Sequence, residues 1–217
     1  MDIILFTDVA GCPGYGKYAG TYKIATEIRK YGYTCQVIDN FSWLGIERLK
    51  ILLDKFITDK TLLIGFSCTL NDRMINRAQT HFEARNNSYF SQILDWGLPL
   101  EEVEELISYA KKINPYIKTC AGGSKITKNS DYKFIDYCVV GKADKSVLSL
   151  LSHLKFKTDI KLSKNNHSYI LDSANYFYTQ EEYTNSNIIY NKSDIILPGE
   201  VLPLEVDRKS TRLNSSH

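Results

Sequence analysis

The chain carries almost no surplus of charge. Its 27 Lys and Arg against 25 Asp and Glu leave a formal +2 over 217 residues, too little for a stripe of phosphate-neutralising cations, so nucleic acid is not expected as a partner. Long apolar runs are missing as well: none approaches the roughly 18 to 20 residues that span a bilayer, and Met1-Asp2 leads straight into an apolar segment with no basic leader. No membrane partner is expected, and a soluble, cytoplasmic protein is. Glycine and proline are sparse, at 12 and 5 residues, while 43% of the chain is hydrophobic, which excludes a collagen-like or wholly disordered polypeptide. The five cysteines, Cys12, Cys35, Cys68, Cys120 and Cys138, form an odd set without a C-x-x-C pair, so neither a disulfide framework nor a zinc ribbon is indicated. Histidine is scarce too. His81, His153, His167 and His217 all fall outside the loops where a sheet crevice is expected, which leaves a nucleophilic triad without a base.

What is present is an alternation of strand and helix patterns. Asp2–Thr7 is an apolar run that ends in a glycine-rich loop, as for a strand buried on both faces. Ile24, Ala25, Ile28 and Tyr31 recur at helical spacing up to Gly32, a natural helix stop. Thr34–Asp39 reads as a second strand, Ile46–Phe56 as a second helix and Leu62–Phe66 as a third strand. Thr69–Gly97 interrupts this rhythm with a polar and aromatic excursion, and segments of that length inside compact domains are more often functional than structural. Leu100–Ile113 resumes as a helix, acidic at its start and basic at its end in accord with the helix dipole, and Asn114-Pro115 stops it. Ile117–Ala121 and Ile135–Val140 are expected as strands four and five, and Ser146–Leu154 as the closing helix. Five βα repeats with right-handed crossovers predict an α/β fold: an open parallel sheet with helices on both faces, flavodoxin-like or Rossmann-like.

These patterns divide the chain into a sheet domain at 1–155, a linker with short strands at 156–196, and an apolar segment at 197–208 that starts another domain. Residues 209–217 are polar and aperiodic. They resemble translated sequencing-adapter read-through and are set aside as non-native.

In an open α/β sheet the ligand crevice lies outside the C-terminal strand ends, near the point where strand order reverses. Gly11–Tyr18 in the first such loop nearly matches the phosphate-cradling pattern G-x-x-x-x-G-K-[ST], which needs glycines for backbone approach, a lysine on the phosphates and a hydroxyl on magnesium. Tyr18 breaks the pattern, because a phenol is too long for the metal position. Ala121-Gly122-Gly123 after strand four would let a bulky or flat ligand approach the backbone, or simply make a tight turn. After strand five, Gly141 permits a turn and Asp144 is placed to cap the last helix. Cys12, Cys68 and Cys120 fall near the ends of three strands, where they could share a metal or sit as small buried residues.

Two longer segments carry a resemblance. Gly20-Thr-Tyr-Lys-Ile-Ala-Thr-Glu-Ile-Arg-Lys-Tyr-Gly32-Tyr-Thr-Cys-Gln-Val-Ile-Asp39 resembles the first helix and second strand of the N-terminal cobalamin (B12)-binding-like domains of radical S-adenosylmethionine (SAM) proteins. Leu197-Pro-Gly-Glu200-Val-Leu-Pro-Leu-Glu205-Val-Asp-Arg208 resembles the strand that leads into their cluster-binding cysteines, and Ala121-Gly122-Gly123 and Asp136-Tyr-Cys-Val-Val-Gly141 fit as well. The resemblance implies a corrinoid as the small-molecule ligand, held by backbone or hydroxyl groups of Gly11, Ser67, Thr69, Gly122, Gly123 and Gly141. It also implies a barrel C-terminal to this chain as its partner.

The departures are equally specific. Asp8-Val9-Ala10-Gly11 lacks the histidine of the D-x-H-x-x-G element, so cobalt would have no histidine from that loop, and the S-x-L element survives only as Ser67-Cys-Thr-Leu70. The C-x-x-x-C-x-x-C motif is absent, so the [4Fe–4S] cluster and SAM would belong to a missing part. The chain is therefore expected to be inactive alone and its parent to be a radical SAM enzyme. Two other readings stay open: a flavodoxin-like domain that binds a nucleotide or phosphate at Gly11–Tyr18, and a scaffold domain that binds nothing.

Overall fold

In the computed structural model, residues 1–7, 19–39, 41–67, 100–123, 126–173 and 188–194 are described. Five short strands alternate with helices except between the fourth and fifth, where no helix is described: β1 (Ile3–Thr7), α1 (Ala19–Lys30), β2 (Cys35–Asp39), α2 (Phe41–Phe56), β3 (Leu63–Ser67), α3 (Leu100–Ile113), β4 (Lys118–Gly122), β5 (Tyr137–Gly141) and α4 (Ala143–Phe156). Two more strands follow, β6 (Ser163–Lys164) and β7 (Tyr169–Ser173).

All seven join one sheet in the order β2-β1-β3-β4-β5-β7-β6. Every pairing is parallel except that of β6 with β7. The order 2-1-3-4-5 is flavodoxin-like, and strand order reverses between β1 and β3, where the chain builds outward first one way and then the other. β6 and β7, from the segment 156–196 expected as a linker with a few edge strands, extend this same sheet at its edge.

The parallel strands read as apolar runs because both of their faces are covered. Ile4, Phe6, Ile64, Phe66, Cys138 and Val140 point to one face and pack against α2 and α3. Ile3, Leu5, Leu63, Cys120, Tyr137 and Val139, one residue out of phase, point to the other and pack against α1 and α4.

Helix boundaries depart from the sequence reading in ways the local chemistry explains. α2 contains a break at Gly45 (φ 70°, ψ 160°), so the expected helix from Ile46 is preceded by a turn that carries the buried Phe41. α1 ends as expected at Gly32, whose φ of +85° lets its N–H reach Arg29 O at 3.0 Å and the next N–H, of Tyr33, reach Ile28 O at 3.3 Å. At the end of α3, Asn114 donates from Nδ2 to Thr58 O and Thr61 O, both at 3.0 Å, and accepts from Tyr116 N–H. It stops the helix and ties it to the entry of β3. Asp144 does not cap α4: Lys142 holds the cap position without a side-chain capping bond, and Asp144 lies buried inside the first turn. The helix starts two residues earlier than a capping role for Asp144 requires.

Residues 188–194 run along α1 and the edge strand β2. Asp194, fully buried, accepts from Arg29 Nη2 at 2.7 and 3.0 Å. The same guanidinium donates to Cys35 O at 2.8 Å and Ile189 O at 2.9 Å. Tyr190 packs on the buried Tyr22, ring centroids 4.8 Å apart. This strap fixes α1 against the sheet.

Candidate functional site

At the C-terminal ends of the central strands, on the face covered by α1 and α4, the core opens into a cleft of about 140 Å³. Its floor follows from the strand register. Leu5, Gly65 and Cys120 lie side by side across β1, β3 and β4, and one step further along Ser67, Gly122 and Val139 do the same across β3, β4 and β5. A glycine at the centre of each row leaves the floor without a side chain. A Cβ on Gly122 would meet nothing closer than Val139 O at 3.7 Å, so that position opens into the cleft. A Cβ on Gly65 would stand 2.7 Å from Leu5 Cδ2 and 3.2 Å from Cys120 Sγ, so there the neighbours have already closed over the strand.

The rim is made of turns only glycine enters without strain. Gly123 has φ +115° and Gly141 φ +85°, values that disfavour any residue with a Cβ. Ser173 of β7 fixes the Gly141 turn with its hydroxyl, whose single proton is shared between Val140 O at 2.7 Å and Lys142 O at 2.9 Å. The walls are Gly20, Thr21 and Ile24 of α1 and Ala143 and Val147 of α4.

No charged side chain lines the cleft among the described residues. Its polar groups are hydroxyls, a thiol and backbone. Burial pushes the Cys120 thiol up to about 12, so it stays protonated and behaves as a small apolar group rather than a nucleophile or metal ligand. The buried Cys138, on the opposite face, is raised to about 11 for the same first reason. Thr21 stands apart. It is only 3% exposed, yet its Oγ1 has no hydrogen-bond partner among the described residues. Thr7, two residues beyond Leu5 on β1 and therefore on the same face, is in the same condition, fully buried and unpartnered, although it is not part of the cleft lining.

Of the residues singled out in the sequence, Ser67, Gly122, Gly123 and Gly141 are brought together around this cleft. Gly11 and Thr69 lie outside the described residues, as do the phosphate-loop-like Gly11–Tyr18, the excursion at Thr69–Gly97, Cys12, Cys68, and residues 197–208. Among the described residues no group of His, Cys, Asp and Glu could hold a metal ion, and no helix is long and apolar enough to cross a membrane. Sequence reasoning missed Thr21, Gly65, Cys120 as a floor residue, and the α4 wall. Gly65 left a signal, an isolated glycine inside an apolar strand, which marks a close approach. Thr21 left none, because a threonine in a helix's first turn is ordinary.

No protein-family model matches the chain, and no curated protein sequence matches it. Among solved structures it is similar to TsrM, a radical S-adenosylmethionine methyltransferase from Kitasatospora setae, determined with cobalamin and a [4Fe-4S] cluster bound. The TM-score is 0.47 and the identity 17%, over 73% of this chain and 25% of that one. A second structure of TsrM, with tryptophan substrate and a SAM analog bound, gives a TM-score of 0.43 at 17% identity, over 73% of this chain and 27% of that one. The chain spans about a quarter of the length of those proteins.

Proposed function

We propose that this domain is a corrinoid-binding module of the cobalamin type and that it works as the N-terminal part of a radical SAM protein. The observation that carries the reading is the cleft: it lies at the C-terminal strand ends beside the reversal of strand order, its floor is opened by Gly122, and its rim is turned by Gly123 and Gly141. These are positions that the segment resemblance assigns to the ligand.

Size limits what enters. A cleft of about 140 Å³ is comparable to a cavity that takes a single aromatic ring, roughly 150 Å³. A whole corrinoid is far larger, so the cleft residues would hold only a ring-sized part of it. When bound, cobalamin supplies a cobalt centre that changes oxidation state and carries an alkyl group. The chain's own contribution would be to hold it: the glycines let the ligand approach the backbone, Leu5, Ile24, Val139 and Val147 would exclude water from the inserted part, and Ser67 offers a hydroxyl. The first-loop element Asp8-Val9-Ala10-Gly11 supplies no histidine to cobalt, so affinity rests on these contacts rather than on a metal–protein bond. The iron-sulfur cluster and SAM belong, on this reading, to a C-terminal barrel.

The test is anaerobic incubation with hydroxocobalamin, removal of free ligand on a desalting column, and the absorbance spectrum of the protein fraction. Near-stoichiometric corrinoid is expected. A protein fraction free of corrinoid after loading at micromolar concentration overturns the reading.

A further inference from the structure

α1 has a different neighbour on each flank. The fully buried Tyr22, Ala25 and Ile28 recur at helical spacing and form the stripe that faces the sheet. Gly20, Thr21 and Ile24, which wall the cleft, fall to one side of that stripe. Tyr22, Thr26 and Arg29, which carry the strap 188–194, fall to the other, the two sets being centred roughly 160° apart around the helix axis. Packed elements in proteins shift mostly by small sliding movements. The slide of α1 that widens the cleft is the one toward the edge strand β2, and the strap stands in its way.

The strap is held in a manner that lets it detach as a unit. Ile189 and residues 191–193 are exposed, Ile188 and Tyr190 are half-buried, and Asp194 is fully buried, so little apolar surface secures it. Its hold is a set of directional bonds: Ile189 N–H to Thr26 Oγ1 at 2.8 Å, Arg29 to Ile189 O and to the Asp194 carboxylate, and Gln36 Nε2 to Ser193 O at 3.0 Å. A segment with few buried apolar contacts opens locally at a lower free energy than the whole domain unfolds.

We infer that residues 188–194 are a latch on the cleft: while Asp194 holds Arg29 the strap blocks α1 and keeps the cleft narrow, and when the strap detaches α1 slides toward β2 and the cleft opens. The latch supplies what a cleft of about 140 Å³ lacks, a way to admit a ligand part larger than one ring. Asp194 closely precedes the segment 197–208, assigned from the sequence to a further domain, so movement of that segment would be felt at the cleft through Arg29 and α1. The inference rests on the cleft being the ligand site, but not on the ligand being a corrinoid.

The test reads the cleft floor without any ligand. Cys120 lines the cleft, whereas Cys138, on the next strand, packs on the opposite face. Burial raises the two thiols to about 12 and about 11, so each reacts with iodoacetamide only when its surroundings open. Timed labelling of the whole native chain, followed by peptide mass spectrometry, gives the two rates separately. Asp194→Asn should speed the labelling of Cys120 about ten- to a hundredfold, the factor set by one lost hydrogen bond to a charged group, and leave Cys138 unchanged. Thr26→Val removes one neutral bond to the strap and keeps the ion pair. It should speed Cys120 about fivefold, and it decides the matter if Asp194→Asn does not fold. An unchanged Cys120 rate in a folded variant overturns the inference, and so does a proportional rise at both thiols, which is the mark of a domain loosened throughout. A protein that retains no hydroxocobalamin yet shows the Cys120-selective increase upholds the latch and overturns the corrinoid reading alone.

Discussion

The two faces of the sheet are built from alternate residues of the same strands, yet they are finished differently. Under α2 and α3 the surface is filled by aromatics: Phe6 stacks on Phe66 at 5.1 Å and meets Phe41 edge-on at 5.7 Å, with the leucines of α2 closing over them. Under α1 and α4 the same strand ends present Gly65, Ser67, Cys120 and Gly122, and the helices do not fill what these small residues leave open. One face maximises buried area; the other gives some of it up at the end of the sheet where α/β folds bind ligands. Packing defects confined to one face at one end therefore read as a site, whereas defects scattered over both would read as a poor core.

The largest expected effect tests the filled face. Phe6→Ala removes a ring that is completely buried between two others and should cost about 3 to 5 kcal/mol in urea unfolding. Corrinoid retention under native conditions should change less than stability, since the ring packs into the cluster under α2 and α3, although Phe6 also borders the cleft. A loss below about 1 kcal/mol would show that the aromatic face is not close-packed and would remove the contrast.

A smaller effect separates the two floor glycines. Gly65→Ala puts a methyl 2.7 Å from Leu5 Cδ2 and should cost about 1 to 3 kcal/mol by overpacking. Gly122→Ala meets only ordinary contacts at 3.7 and 3.8 Å, and its backbone is one that alanine adopts, so stability should hold or rise by about 0.4 to 1 kcal/mol. Its methyl nevertheless enters the cleft, and retention of hydroxocobalamin should drop. Unfolding curves and the desalting assay on the same two proteins give the answer, and a Gly122→Ala protein that keeps full ligand capacity would mean the open floor is not used.

Much of this contrast was legible in the sequence and part was not, for physical reasons. The strands announced themselves because burial on both faces makes each a short apolar run, and Gly32 and Asn114-Pro115 marked helix ends because backbone conformation restricts which residues stand there. Gly123 and Gly141 were legible for the same reason. Which face an inward residue serves depends on register, however, and register placed Gly65 between Leu5 and Cys120, a juxtaposition of three distant segments. The role of β7 was hidden more deeply. Tyr169–Ser173 sits in a polar, Asn- and Lys-rich stretch that suggested a linker, and only pairing with β5 turns Ser173 into a brace for the Gly141 rim. The hydroxyl of Thr21 was illegible altogether, because an unpaired group is defined by its surroundings.

The smallest expected effect lies at the sheet edge, away from both faces. The Asp131 carboxylate pairs with His167 Nδ1 at 2.9 Å and accepts the backbone N–H groups of His167 at 2.8 Å and Ser168 at 2.9 Å. These clip the turn before β5 to the β6–β7 hairpin. The side-chain bond to His167, followed by the backbone donors, holds the carboxyl at about 2 against an ordinary 3.8. A group whose folded value is depressed contributes stability that is complete above its unfolded value and is lost as the folded carboxylate takes up its proton. The contribution should thus be constant from neutral pH down to about 4 and fade between about 4 and 2. Asp131→Asn should lower the melting temperature slightly at pH 7, flatten its fall between about pH 4 and 2, and leave cleft binding at neutral pH unchanged. An unaltered acid profile would place the titration elsewhere. Altered ligand retention would mean that the edge hairpin and the cleft rim, joined through β7, are mechanically coupled.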